Sequence, residues 1–184
     1  GGAAQNKPAA SDQTPISESN SSQALLPTAL PSPDTKPANF PQEFTDDLDR
    51  PITLPGPAQK IISLAPSNTE VLYAIGAGDQ VIGRDAFSDY PEAAKSLPDV
   101  GGGWGELNNE LIVSLQPDLV LAAQINTAEQ VKTLEDLGLT VYYLANPTDM
   151  EGLYANLQEV AQLTGREKEA SALVDDLKAR VAAV

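Results

Sequence analysis

From Lys60 onward, apolar and polar positions follow two alternating periods. KIISLA at 60–65 is a short apolar run bounded by Pro66, the pattern of a buried strand. Ser67-Asn68-Thr69-Glu70 then fits a capping box, with Ser67 as N-cap and Glu70 three residues on. Val71, Leu72 and Ile75 supply the apolar face of that helix, and Gly76 to Gly78 end it. Val81-Ile82-Gly83 reads as a second strand, followed by a loop from Arg84 to Tyr90, with Pro91 placed to open a short helix. Asn108 is suited to cap a helix over 109–115, which Pro117 closes, and Asp118 to Ala122 form a third strand.

The pattern then repeats. Thr127 to Leu137 is an amphipathic helix with Val131, Leu134 and Leu137 on one face, and Leu139 to Leu144 is a fourth strand. Thr148-Asp149-Met150-Glu151 is a second capping-box pattern, opening a helix through Leu153, Leu157, Val160 and Leu163 to Gly165. Thr164 to Glu167 starts a last helix that runs to Val184. Strand–helix alternation predicts an α/β fold: a four-stranded, mostly parallel Rossmann-like sheet with flanking helices and right-handed crossovers. Ligands of such sheets gather beyond the carboxyl ends of the strands, where loops leave at Pro66, Arg84, Ala123 and Ala145. Ser67 and the Arg84–Tyr90 loop therefore fall on the expected binding edge.

Residues 1–58 show neither period. They are rich in Pro, Ser, Asn and Ala, and the apolar clusters at Leu25–Leu26 and Phe40–Phe44 read as too isolated to form a core. Such a composition does not offset an ordering cost of roughly 1–2 kcal/mol per residue. The expected organisation is a disordered tether over 1–58, an α/β lobe over 59–165 and the start of a long helix over 166–184.

Composition narrows the chemistry. The 184 residues carry 26 Asp plus Glu against 11 Lys plus Arg, a formal charge of −15. Without a basic stripe, nucleic acid is excluded as a partner. Cys and His are both absent, which excludes thiol catalysis, Cys/His metal centres, histidine-ligated haem and a Ser-His-Asp triad. No apolar run reaches transmembrane length. Gly101-Gly102-Gly103 lacks the spacing of a dinucleotide or phosphate loop, so its glycines are read as letting the backbone turn and approach a ligand. No Asp-x-Asp-x-Asp-Gly calcium loop occurs. Asp85, Asp89, Glu106 and Glu110 lie in or near the expected edge, as solvated carboxylates or as the acid–base groups of an enzyme. Trp104, the only tryptophan, sits on the glycine-rich loop, either covering one end of the core or holding a flat apolar surface out for a ligand.

Four ordered pieces carry a family resemblance: KIISLAPSNTE at 60–70, SDYP at 88–91, LPDVGGGW at 97–104 and NNELIVSLQPDLVLA at 108–122. Residues 52–184 resemble the substrate-binding proteins of ABC importers for vitamin B12, iron siderophores and haem, the class built on a long helical backbone. The Ser-Asp-Tyr-Pro segment and the Trp six residues before Glu110 most resemble the vitamin B12-binding members. The resemblance implies a non-enzymatic, extracytoplasmic binding protein that captures a corrinoid or ferric siderophore and delivers it to a membrane permease. Haem is the alternative ligand, with Tyr90 at the same edge; a non-transport interaction domain and a carboxylate-dependent enzyme are further alternatives. No resident cofactor and no bound metal are expected.

The ligand-binding set implied is Ser67, Phe87, Tyr90, Gly103, Trp104 and Gly105, with Phe87 and Trp104 as aromatic contacts. Glu110 matches the glutamate that meets permease arginines in the family; read by itself, it is a first-turn residue favoured by the helix dipole. Family members have two lobes joined by one long helix, so the chain is expected to be the amino-terminal lobe of a longer protein. On that expectation, Leu173, Val174, Leu177 and Val181 are left seeking a partner. Gly1-Gly2-Ala3-Ala4 resembles the residues after a processed lipoprotein signal, which implies a lipidated residue upstream of Gly1.

Overall fold

The computed structural model describes residues 39–184. Its centre is a four-stranded parallel sheet built from β3 (Ile61–Ser63), β4 (Val81–Arg84), β5 (Leu119–Ala123) and β6 (Val141–Leu144), in the order β4-β3-β5-β6. Side-chain parity divides the core into two layers. Ile61, Leu119, Leu121, Tyr142 and Leu144 point to one face, where they meet α1 (Pro66–Ala74), α4 (Met150–Thr164) and α5 (Glu167–Ala182). Ile62, Val120, Ala122 and Val141 point to the other, covered by α2 (Asn109–Ser114) and α3 (Ala128–Asp136). With helices on both faces, all five residues of β5 are buried, which is why that strand reads as a continuous apolar run.

The upstream segment is the main correction. Residues 42–54 are not a tether but an antiparallel hairpin, β1 (Gln42–Thr45) and β2 (Pro51–Leu54), with Phe44 opposite Ile52. Phe44, Ile52 and Leu54 are buried in the α1/α4/α5 layer, and Phe40 packs against it. Ile52-Thr53-Leu54 has the period of a half-buried strand, and Pro51 stands at the strand start, where a missing N–H is tolerated. The rest of the expected tether, with Leu25–Leu26, lies outside the described residues.

Asp46 fixes the hairpin turn. Its carboxyl accepts from the Leu48 and Arg50 N–H groups at 3.0 Å, from the Arg50 guanidinium, and from Tyr143 N–H at 3.1 Å, so the turn is pinned to the end of β6. Burial acts to raise the Asp46 pKa, but these hydrogen bonds, that of the Arg50 side chain foremost, hold it below the ordinary carboxylate value.

Several caps differ from expectation. Pro66 occupies the first turn of α1 with Ala65 as N-cap, so the Ser67–Glu70 capping box is not formed. Asp149, not Thr148, caps α4 through Gly152 N–H. Thr164 ends α4, Gly165 takes the left-handed C-cap at φ 72°, and α5 starts after Arg166 without a side-chain cap. Pro91 follows a cis peptide bond and precedes a 3-10 turn, Glu92–Ser96, rather than opening an α-helix. A full capping box is made by Thr127 and Gln130 at the start of α3.

Helix α5 is not left without a partner along its length. Ala170 and Val174 are buried against the same layer, and Leu173 and Leu177 pack on it in part. Arg166 ties the helix start to the loop before β4, donating to Gln80 Oε1 at 2.8 Å and Asp79 Oδ1 at 2.9 Å. Only the last turns, with Val181 at 52% exposure, stand clear of the core. Among the described residues no helix is long and apolar enough to cross a membrane.

Candidate functional site

Two loops are stitched together at the carboxyl end of β4. Arg84 N–H donates to Pro98 O at 3.0 Å, Val100 N–H to Arg84 O at 2.9 Å, and Ala86 N–H to Gly101 O at 3.0 Å. This short parallel extension brings the segment after β4 alongside the glycine run. Gly101, Gly102 and Gly103 all have positive φ, 78°, 86° and 67°, which side chains other than glycine rarely adopt. The turn they make is closed by Gly102 N–H on Glu106 O at 3.0 Å and Gly105 N–H on Gly102 O at 3.1 Å.

The second reason for glycine is space. A Cβ on Gly103 would lie 2.2 Å from Phe87 Cε2, so the Phe87 ring rests directly on the Gly103 backbone. Trp104 follows at the tip with 88% of its surface exposed, while Phe87 is 46% exposed. Of the two openings left by the sequence, cover for the core is removed: the indole touches little of its own domain. The structure thus brings Phe87, Gly103, Trp104 and Gly105 into one aromatic-bearing unit.

The remaining expected residues are placed apart from that contact. Tyr90, at the end of the same loop, is 67% exposed. Ser67 is exposed and lines a different feature, an open apolar cavity of about 330 Å³ between α1, α4 and α5, with Ala145, Pro147, Leu153 and Leu177. Glu110 stands exposed in the first turn of α2, whose N-cap Asn108 accepts from Leu111 N–H at 3.0 Å.

Asp85 is not available for acid–base chemistry. It is fully buried, and its carboxyl accepts from Phe87 N–H at 3.0 Å and from the Ser88 hydroxyl. Ser88 Oγ lies 2.8 Å from Thr69 Oγ1, which lies 2.7 Å from Ser63 Oγ, and Ser63 donates to Ala65 O at 3.1 Å. Asn68 donates to Leu121 O and Ala122 O at 3.0 and 3.1 Å, fastening the start of α1 over the end of β5. Sequence reasoning missed Ser63, Asn68, Thr69 and Ser88: Asn68 and Thr69 read as first-turn cap residues, Ser63 as part of a strand and Ser88 as part of a solvated loop, and all four are buried where α1 meets the sheet edge. Among the described residues no buried side-chain polar atom lacks a partner, and no cluster of acidic residues is arranged to hold a metal ion.

The comparisons with known proteins converge. The chain is 35% identical over 142 residues to the uncharacterized ABC transporter substrate-binding lipoprotein YvrC of Bacillus subtilis (strain 168), covering 76% of this chain and 45% of the relative. It is 38% identical over 130 residues to the vitamin B12-binding protein of Vibrio campbellii, covering 70% and 46%. A periplasmic heme binding protein from Pseudomonas aeruginosa superposes with a TM-score of 0.63 at 29% identity, covering 68% of this chain and 45% of that one. The chain spans about half the length of the curated relatives it matches. Residues 61–184 match the family described as periplasmic binding protein, and the chain belongs to that family.

Proposed function

We propose that this chain provides one wall of the ligand cleft in an extracytoplasmic substrate-binding component of an ABC importer, with a corrinoid or ferric siderophore as cargo. It binds and hands over its cargo rather than transforming it. One observation carries the reading: Phe87 is seated on Gly103 beside a Trp104 that is 88% exposed on a closed turn. A single domain gains nothing by holding a large indole in water, whereas a broad, flat ligand would cover both rings. Covering an aromatic of this size contributes on the order of 2 kcal/mol from area alone. The likeness to a vitamin B12-binding protein favours the corrinoid. In this reading Tyr90 and Gly105 border the ligand, no resident cofactor is needed, and Glu110 docks on the permease. A lipid anchor upstream of Gly1 accords with the relative named as a lipoprotein.

The test is calorimetric titration of the protein with cyanocobalamin and with a ferric siderophore. Binding of either is expected, weakened about 30-fold by Trp104→Ala, the equivalent of about 2 kcal/mol. Binding of neither, or binding untouched by that substitution, overturns the reading. Haem is the second reading, favoured by the likeness to a heme binding protein and by the 67% exposure of Tyr90, whose phenol is the iron ligand in that reading, the chain having no histidine. Haem binding with a visible-band shift lost in Tyr90→Phe would select it.

A further inference from the structure

The carboxyl group of Asp85 does more than satisfy its neighbours. Asp85 is fully buried on the short parallel extension of β4; its carboxyl holds the Phe87 half of the aromatic unit, and its Cβ lies beneath the glycine run. Towards one half, it accepts from Phe87 N–H at 3.0 Å and from the Ser88 hydroxyl, which closes the chain into a turn at Phe87. Towards the other, Asp85 Cβ lies 3.8 Å from where a side chain on Gly102 would begin. The Phe87 ring then rests on Gly103, the residue before Trp104. Behind Asp85, Ser88, Thr69 and Ser63 link the carboxyl to the start of α1 and the end of β3.

We propose that Asp85 is the positioning residue of the aromatic platform: by fixing the turn at Phe87 it holds that ring on Gly103 and thereby sets where Trp104 stands. The proposal rests on the reading of Phe87 and Trp104 as a ligand wall. A platform held in place before binding loses less freedom when the ligand arrives, which raises affinity without any new contact. The hydroxyl chain also fixes how a substitution behaves. An alanine at 85 orphans the Phe87 N–H and the Ser88 hydroxyl. An asparagine keeps one acceptor for Phe87 N–H, and its amide donates to Ser88. Ser88 then turns its proton to Thr69, Thr69 donates to Ser63, and Ser63 still donates to Ala65 O. Phe87 N–H and the three hydroxyls stay paired, at the cost of one additional amide hydrogen.

Trp104 is the only tryptophan, so its fluorescence anisotropy in the ligand-free protein reports the mobility of this turn alone. Asp85→Ala is expected to lower that anisotropy to the value of Phe87→Ala, with the double variant no lower than either, while Asp85→Asn keeps the wild-type value. Asp85→Val, which preserves volume beneath Gly102, is the second variant if alanine does not fold. Val160→Ala, in the α1/α4/α5 core layer away from this turn, is expected to lower the melting temperature without moving the anisotropy. Asp85 variants that behave like Val160→Ala, or that add to Phe87→Ala, overturn the proposal. So does unchanged anisotropy in Phe87→Ala, whatever the Asp85 variants do. Because no ligand is present, a failure to bind corrinoid, siderophore or haem would count against the ligand reading and leave this measurement standing.

Discussion

Tyr142 has one hydroxyl proton and two acceptors, Thr45 O at 3.1 Å and a carboxyl oxygen of Glu159. A protonated Glu159 resolves the conflict, donating to Tyr142 while Tyr142 donates to the hairpin. Burial, together with the negative charges of Asp47 and Asp46 on the hairpin turn, raises the Glu159 pKa to about 7. Arg50, the cation nearest that turn, is engaged by Asp46 and by Glu135 of α3. The folded chain therefore keeps a proton that an ordinary glutamate releases near 4.5. Stability from this group is full below that pH and declines as pH rises towards about 7. With solvent screening allowed for, the decline is on the order of 1–2 kcal/mol, and Glu159→Gln is expected to flatten it in urea titrations at pH 5 and 8. Asp46 runs the other way, its contribution being lost as pH falls through its lowered pKa. Gly103 supplies a second test at this scale. Gly103→Ala forces a left-handed alanine, costing about 1–2 kcal/mol, and drives the Phe87 ring away; denaturant unfolding reads the first effect and ligand affinity the second.

At the scale of elements, the strands and long helices from β3 onward were legible because each carries a period that tertiary packing preserves. The hairpin was not. Pro41, Pro51, Pro55 and Pro57 give its surroundings the composition of a linker, and two four-residue strands cannot stand alone. Their stability comes from burying Phe44, Ile52 and Leu54 in the α1/α4/α5 layer, a long-range term that no local window contains. Leu54→Ala is accordingly expected to cost about 2–5 kcal/mol in equilibrium unfolding, as for a core leucine, whereas an alanine in a tether would cost nothing. Cap positions shifted for a related reason: Pro66 is better suited to the first turn than Ser67 is to the cap, and the polar residues behind it turn inward. The last turns of α5 contribute little, so truncation after Leu177 is expected to leave the melting temperature nearly unchanged.

For the molecule as a whole, the candidate site was half legible. Phe87, Trp104 and the glycine run came from recognisable segments, but their contact joins loops sixteen residues apart and depends on strand-edge pairing between 84–86 and 98–101. Asp85 illustrates the limit from the other side. Its letter suggests chemistry in solvent, and only the layer packed above it shows that its oxygens are already engaged. Ser67 shares the sheet edge yet belongs to the α1/α4/α5 cavity, because topology assigns an edge and not a neighbour. The hairpin has one more consequence, for anyone who trims the chain. The family match begins at residue 61, but the physical boundary of the domain lies some twenty residues earlier. A version cut at the match would lay bare the apolar layer that Phe44, Ile52 and Leu54 cover, and its precipitation would say nothing about the fitness of the site at the carboxyl end of β4.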